Sequence, residues 1–270
     1  MKPTQSEVVT RDIIQHGEIW LISINRPEVR NCVNRPTADA LEQHFNDFDN
    51  DTNAKVAILT GKGDHFCAGA DLKAVASGNP DLMNRINRSG AAPMGVSRLT
   101  LQKPVIAAVS GYCVAGGLEL ACWTDLRVAD QTAVFGVFCR RFGVPLIDGG
   151  TVRLPRLIGQ SRAMDMILTG REVLADEAFQ WGLANRLATQ RSALDEAILM
   201  AEHLCKLPQI CMRNDRMSAL SQWGYGEASA MMEEFEFGLN TLGSGETKIG
   251  AEAFTEGAGR HGTGRQAADS

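Results

Sequence analysis

Gly111-Tyr112-Cys113-Val114-Ala115-Gly116-Gly117-Leu118-Glu119-Leu120 follows the apolar run Val105–Val109 and continues in small and apolar residues to Trp123. Residues 105–123 are long enough to cross a bilayer. Yet the stretch holds Ser110, three glycines (Gly111, Gly116, Gly117) and the carboxylate of Glu119. A membrane span does not place a carboxylate and a glycine pair at mid-depth without a partner. The reading is a buried strand, a turn of very small residues, and a buried helix carrying Glu119.

The same unit recurs upstream. Val56–Leu59 reads as a buried strand, and Phe66-Cys67-Ala68-Gly69-Ala70-Asp71-Leu72-Lys73 is a second turn built from tiny residues. Small side chains let a ligand approach the backbone closely. Free N–H groups at such turns donate to an anion, and a helix starting near Gly117 adds its positive end. Neither turn is a phosphate loop, because Gly-x-x-x-x-Gly-Lys-Ser/Thr and Gly-x-Gly-x-x-Gly are both absent from them. Two separate turns can instead give one amide each to a single carbonyl oxygen.

Toward the N-terminus, Val8–Ile14 and Ile19–Ile24 read as a hairpin, and Asn25-Arg26-Pro27 breaks its second strand. Asn34 is placed to cap a helix from about Pro36, with Leu41, Phe45 and Phe48 on one face. The mixed polar stretch through Pro93 is expected to be helical, with a mobile part at Ser77-Gly78-Asn79-Pro80. Leu126–Ala129 and Ala133–Val137 read as short strands, and from Thr151 the pattern is helical almost throughout. Short buried strands alternating with helices predict an α/β fold with parallel pairing.

Of the 270 residues, 44% are hydrophobic and 22% charged, which suffices for a sizeable core. A net charge of −5 with no basic block argues against nucleic acid as a partner. The opening residues Met1-Lys2-Pro3-Thr4-Gln5 carry no apolar signal core. The seven cysteines lack paired or metal-ligand spacing. A reduced, cytoplasmic setting is expected, with no membrane partner and no metal.

With these segments in hand, the chain resembles the enoyl-CoA hydratase/isomerase (crotonase) family from about Ile19 to about Glu256. Asn25-Arg26-Pro27 with Asn31, Phe66–Leu72, Ile106–Leu120 with Asp125, and Gly149-Gly150-Thr151 with Arg153-Leu154 and Leu157-Ile158-Gly159 carry the resemblance, in order and at similar spacing. It implies a crotonase-like spiral of ββα repeats over residues 1–200. A C-terminal helical region over 201–256, serving trimer assembly and covering the acyl pocket, would follow, with 257–270 a flexible tail. It implies a homotrimer or dimer of trimers, no permanently bound cofactor, and coenzyme A entering as part of an acyl-CoA thioester substrate.

The resemblance also implies site roles. The amides of Ala70 and Gly116 would form an oxyanion hole. Ala68, Ala70 and Leu72, with Asp71 between them, would lie along the thioester and pantetheine path. Backbone near Glu28, Val29 and Arg30 would meet the nucleotide end. Hydrating a 2-enoyl thioester, or shifting its double bond, passes through an enolate-like state, and losing one preorganised amide there costs about 3–4 kcal/mol of barrier. Glu119, one helical turn after Gly116 and flanked by Leu118, Leu120 and Ala121, is the expected proton handler, its carboxyl raised by desolvation.

One departure stands out. Family hydratases carry a second glutamate, whose place falls by count on Cys139 in Phe138-Cys139-Arg140-Arg141-Phe142, and no glutamate occurs from Leu120 to Gln160. Asp148 is the candidate substitute, either in proton transfer or as a turn former before a helix. Some members' catalytic aspartate falls one residue earlier, at Ile147. Asp71 also reads as a helix cap, Cys139 as a small apolar filler, Arg140 and Arg141 as solvated or phosphate-facing, and His65 as a loop histidine. Met231, Met232, Phe235 and Phe237 form a stripe read as core or subunit contact. The expected activity is hydration of a 2-enoyl-CoA, with double-bond isomerisation or non-catalytic acyl-CoA binding as alternatives.

Overall fold

The computed structural model describes residues 8–259. The tail expected over 257–270 lies, from residue 260 on, outside the described residues. The chain divides into two compact units, one through Ala201 and one from Glu202, with the boundary inside a helix.

In the first unit, β1 (Val9–Ile14) and β2 (Ile19–Ile24) form the expected antiparallel hairpin. β2 is buried along its whole length, which suits its continuous apolar sequence IWLISI. Asn34 caps α1 (Arg35–Asn50) by accepting the Thr37 N–H, and Leu41, Phe45 and Phe48 are fully buried. β3 (Val56–Gly61), α2 (Leu72–Ser77), β4 (Val105–Val109), β5 (Tyr112–Val114), α3 (Gly116–Trp123), β6 (Leu126–Asp130) and β7 (Val134–Gly136) follow. Then come α4 (Gly150–Ile158), α5 (Gln160–Thr169), β8 (Glu172–Leu174), α6 (Ala175–Gln180), β9 (Arg186–Ala188) and α7 (Ala193–Cys205).

Six strands form one sheet in the order β1-β2-β3-β4-β6-β9, parallel beyond the hairpin. A second sheet, β5-β7-β8, stands apart from it. β4 belongs to the first and β5 to the second, so the chain changes sheets at Ser110-Gly111. Gly116 and Glu119 follow β5, at the start of α3.

Three expectations are corrected. The stretch after Phe66–Lys73 is helical only over Leu72–Ser77, because Gly78 ends the helix in a left-handed conformation and Pro80 and Pro93 follow. The turn Gly111–Gly117 contains the short strand β5. Two strands, β8 and β9, interrupt what reads as continuous helix after Thr151.

The second unit contains α8 (Gln209–Ser221), α9 (Glu227–Gly243) and α10 (Glu246–Thr255). Glu246 accepts the Ile210 and Cys211 amides at the start of α8, placing a carboxylate at the positive helix end. Asn214 on α8 donates to Thr241 on α9. Met231, Met232 and Phe235 are exposed on this chain, so they are not part of its core. Among the described residues no helix is long and apolar enough to cross a membrane.

Candidate active site

The two small-residue turns are hydrogen-bonded to each other. Phe66 N–H donates to Ser110 O, Cys67 N–H to Tyr112 O, and Val114 N–H to Cys67 O, at 2.8–3.1 Å. The glycines permit this approach. A Cβ on Gly117 would lie 2.0 Å from Cys67 O, and one on Gly69 would lie 3.0 Å from Gly116 N. Within the second turn Ala115 takes φ 53°, ψ −125°, a conformation that costs an L-residue about 1–3 kcal/mol. Its own N–H is held by Gly136 O at 2.8 Å.

The strained turn leaves the next amide, Gly116 N–H, without an acceptor among the described residues, and the same is true of Ala70 N–H. The Gly69 carbonyl and the Asp71 N–H on either side of Ala70 are both bonded to Val33, so the Ala70 amide is fixed while remaining free. Both residues line a cavity of about 450 Å³ that also contains Ala68, Leu72, Glu119 and Asp148.

Glu119 is buried in the first turn of α3. Its Oε1 accepts the N–H groups of Asp148 and Gly150, each at 2.8 Å, at the N-terminus of α4. Oε2 has no partner among the described residues. Burial pushes the carboxyl up to about 7, against the pull of those two amides. Asp148 is also buried. Its Oδ1 accepts the Met94 N–H at 3.0 Å and the Ser97 hydroxyl, while Oδ2 has no partner. Burial raises this carboxyl too, opposed by the Ser97 and Met94 donors and by the charges of Arg98 and Arg153. Each carboxylate therefore has one pinned oxygen and one without a partner, in the same cavity.

The other expected residues divide. Ala68 and Leu72 line the cavity. Asp71 does not: it caps α2 by accepting the Lys73 and Ala74 amides, and it pairs with Arg26 at 2.9 Å. Glu28, Val29 and Arg30 also lie off the cavity. They sit in the short 3-10 turn Pro27–Val29 and the left-handed residue after it. The Arg30 carbonyl accepts Ala68 N–H, which ties that turn to the first small-residue segment. Cys139 lines the cavity, and burial, with Glu119 nearby, raises its thiol. Arg140 and Arg141 donate to the carbonyls of Ile167 and Gly170. His65 Nδ1 accepts the Tyr112 N–H. Among the described residues no group of three His, Cys, Asp or Glu is placed to hold a metal.

Sequence reasoning missed Met94, Ser97 and Arg153 as supports of the carboxylates. Ser97 is 51 positions from Asp148 and carries no local signal. Arg153 was visible only as part of a family-like segment.

The chain belongs to the enoyl-CoA hydratase/isomerase family, whose profile matches residues 15–257. Among its relatives, a mevalonyl-coenzyme A hydratase of Aspergillus fumigatus is 38% identical over 184 residues, 68% of this chain and 67% of that protein. An enoyl-CoA hydratase of Mycobacterium tuberculosis is 31% identical over 246 residues, 90% of this chain and 92% of that one. A crystal structure of an enoyl-CoA hydratase from Mycobacterium tuberculosis superposes with a TM-score of 0.85 at 35% identity, covering 93% of this chain and 96% of that one. The fold is thus the mixed α/β crotonase fold.

Proposed function

We propose that the protein is an acyl-CoA lyase that adds water across the double bond of a 2-enoyl-CoA. One observation carries this reading. Two acceptor-free amides, from Ala70 and Gly116, share a cavity with two carboxylates that each have one unpartnered oxygen. The thioester oxygen sits between the amides. Asp148 Oδ2 takes a proton from water as the water oxygen bonds to the β-carbon, and the displaced electron pair collects on the thioester oxygen. The enolate then collapses, and its α-carbon takes a proton from Glu119. Reprotonating Glu119 and deprotonating Asp148 returns the site to its starting state.

The carboxyl chemistry supports these roles. Glu119, raised to about 7, is poised between its two forms in neutral solution, so its protonated form is available to donate. Burial raises the Asp148 carboxyl, and the two donors on one oxygen oppose that shift in favour of the ionised form it needs as a base. Leu72, Val75, Met83, Ile86, Phe138 and Phe142 make the remaining wall apolar, which suits a hydrocarbon acyl group. Coenzyme A enters as part of the substrate, and no further cofactor is invoked.

Isomerisation of a 3-enoyl-CoA is the second reading, favoured by Cys139 at the place of the family's second glutamate. A single carboxylate, Glu119, would then carry a proton between two carbons. Incubation with crotonyl-CoA and with a 3-enoyl-CoA in deuterated water, beside Glu119→Gln, separates the readings. Hydration yields a 3-hydroxyacyl product, and isomerisation yields label exchange without added water. Equal inertness of wild type and variant, with CoA esters still bound, would leave only a binding role.

A further inference from the structure

Behind Asp148, outside the cavity, lie two polar side chains that the mechanism above does not use. Ser97 is 3% exposed, and its hydroxyl donates to Asp148 Oδ1. The Ser97 carbonyl accepts from Arg153 Nη2 at 2.7 Å, and Arg153 Nη1 donates to the Asp148 carbonyl at 3.1 Å. Among the described residues no carboxylate forms an ion pair with Arg153. This half-buried guanidinium spends its donors on the main chains of the two residues whose side chains meet.

We propose that Ser97 is a positioning residue for the hydration step. Through its hydroxyl it presents Asp148 Oδ2 to the cavity, and Arg153 fixes the pair by holding both backbones. The proposal rests on the role given to Asp148 above. A carboxyl group with two equivalent oxygens has no preferred face toward a substrate water. Two donors on Oδ1 and none on Oδ2 break that equivalence and leave one oxygen unpartnered on a residue that lines the cavity. The Met94 amide alone is one donor where two hold the carboxyl group, and a single hydrogen bond leaves it free to pivot.

The same donors favour the charged form of Asp148. The charged and titratable groups facing it are Glu119 from α3, Arg153 from α4, and Arg98 from the segment that carries Met94 and Ser97. Removing the Ser97 hydroxyl leaves all three charges in place and deletes one donor. The acid limb of the rate profile, where Asp148 becomes protonated, then moves to higher pH.

The test is a set of kcat and KM profiles against pH with a 2-enoyl-CoA, for wild type, Ser97→Ala, Ser97→Thr and Asp148→Asn, each with a thermal melt. Ser97→Ala is expected to lower kcat about 10- to 100-fold with KM nearly unchanged. It is also expected to move the acid limb up by about one pH unit, the scale of one hydrogen bond to a charged group. Ser97→Thr, which keeps the hydroxyl, restores both. If Ser97→Ala does not fold, Ser97→Cys takes its place, because a thiol is a weak donor of similar size. A folded Ser97 variant whose acid limb does not move, while Asp148→Asn is inactive, overturns the assignment to Ser97 alone. An Asp148→Asn variant with wild-type kcat overturns the role of Asp148 and this proposal with it.

Discussion

The backbone amide of Asp148 donates to Glu119 Oε1 at 2.8 Å, so the second carboxylate of the cavity holds the first in place through its main chain. Gly150 N–H shares the task at the same distance. A Cβ on Gly150 would lie 3.0 Å from both Glu119 Cγ and Oε1 and 3.2 Å from Leu146. Gly150→Ala should therefore push the Glu119 carboxyl off its two donors. The expected outcome is a kcat lowered by about 10- to 100-fold, as for other small misplacements of a reacting group, with a melting temperature close to wild type. Steady-state kinetics beside a thermal melt check it.

Glu119 links acidity to both rate and stability. Its folded value, about 7, stands above the ordinary 4.5. The folded state therefore binds this proton more tightly than the unfolded chain, and stability is lost as pH rises from about 4.5 through 7. At pH 8 the buried charge costs on the order of 3 kcal/mol. Glu119→Gln removes that cost while keeping an oxygen for the two amides. Its stability relative to wild type should rise between pH 5 and about pH 7 and level off above, measured by denaturant titration. With Glu119 as the proposed proton donor in hydration, the wild-type kcat should fall as pH rises past about 7.

Gly117 marks the contact between the two turns. A Cβ there would meet the Cys67 carbonyl oxygen, a backbone atom that cannot swing aside. Gly117→Ala should separate the turns, destabilise the fold by at least about 1–3 kcal/mol, and abolish activity. A chemical melt and an activity assay on the same preparation test this. A variant with both properties intact would mean that the contact between the turns is not needed.

Cys139 offers a probe of the cavity. Burial and the nearby Glu119 raise its thiol, so little thiolate is present at neutral pH. Alkylation by iodoacetamide at pH 7, followed by peptide mass mapping, should label it at least about tenfold more slowly than a free cysteine peptide. A bound acyl-CoA should suppress the labelling further.

Much of this was legible along the chain. The hairpin, α1 and the buried strands were readable because their signals are local: turn residues at a fixed spacing, an Asn cap, and apolar runs of strand length. The paired turns were readable from their small residues, and Glu119 from its distance to Gly116. What failed was non-local. β8 and β9 are three residues each, and their existence depends on partners at Val134–Gly136 and Val128–Asp130. The stretch after Ser77 looked helical because it is polar and mixed, but it has no apolar period to fold against a core. Asp148 could be seen in the sequence, though not the pinning of its Oδ1 by Met94 and Ser97, which are 54 and 51 positions away. Asp71 was legible as a helix cap, and its side chain does close the start of α2, but its ion pair with Arg26, 45 positions away, carried no local signal.

In the proposed reaction, two carboxylates beside two free amides deliver water to the β-carbon of a thioester. Its most direct test is the mass of the product formed from a 2-enoyl-CoA in water labelled with heavy oxygen. The wild type should form a 3-hydroxyacyl-CoA carrying one heavy oxygen, with yields lowered by about 100-fold or more in Glu119→Gln and in Asp148→Asn. A product without the label, or equal yields from wild type and either variant, would contradict it.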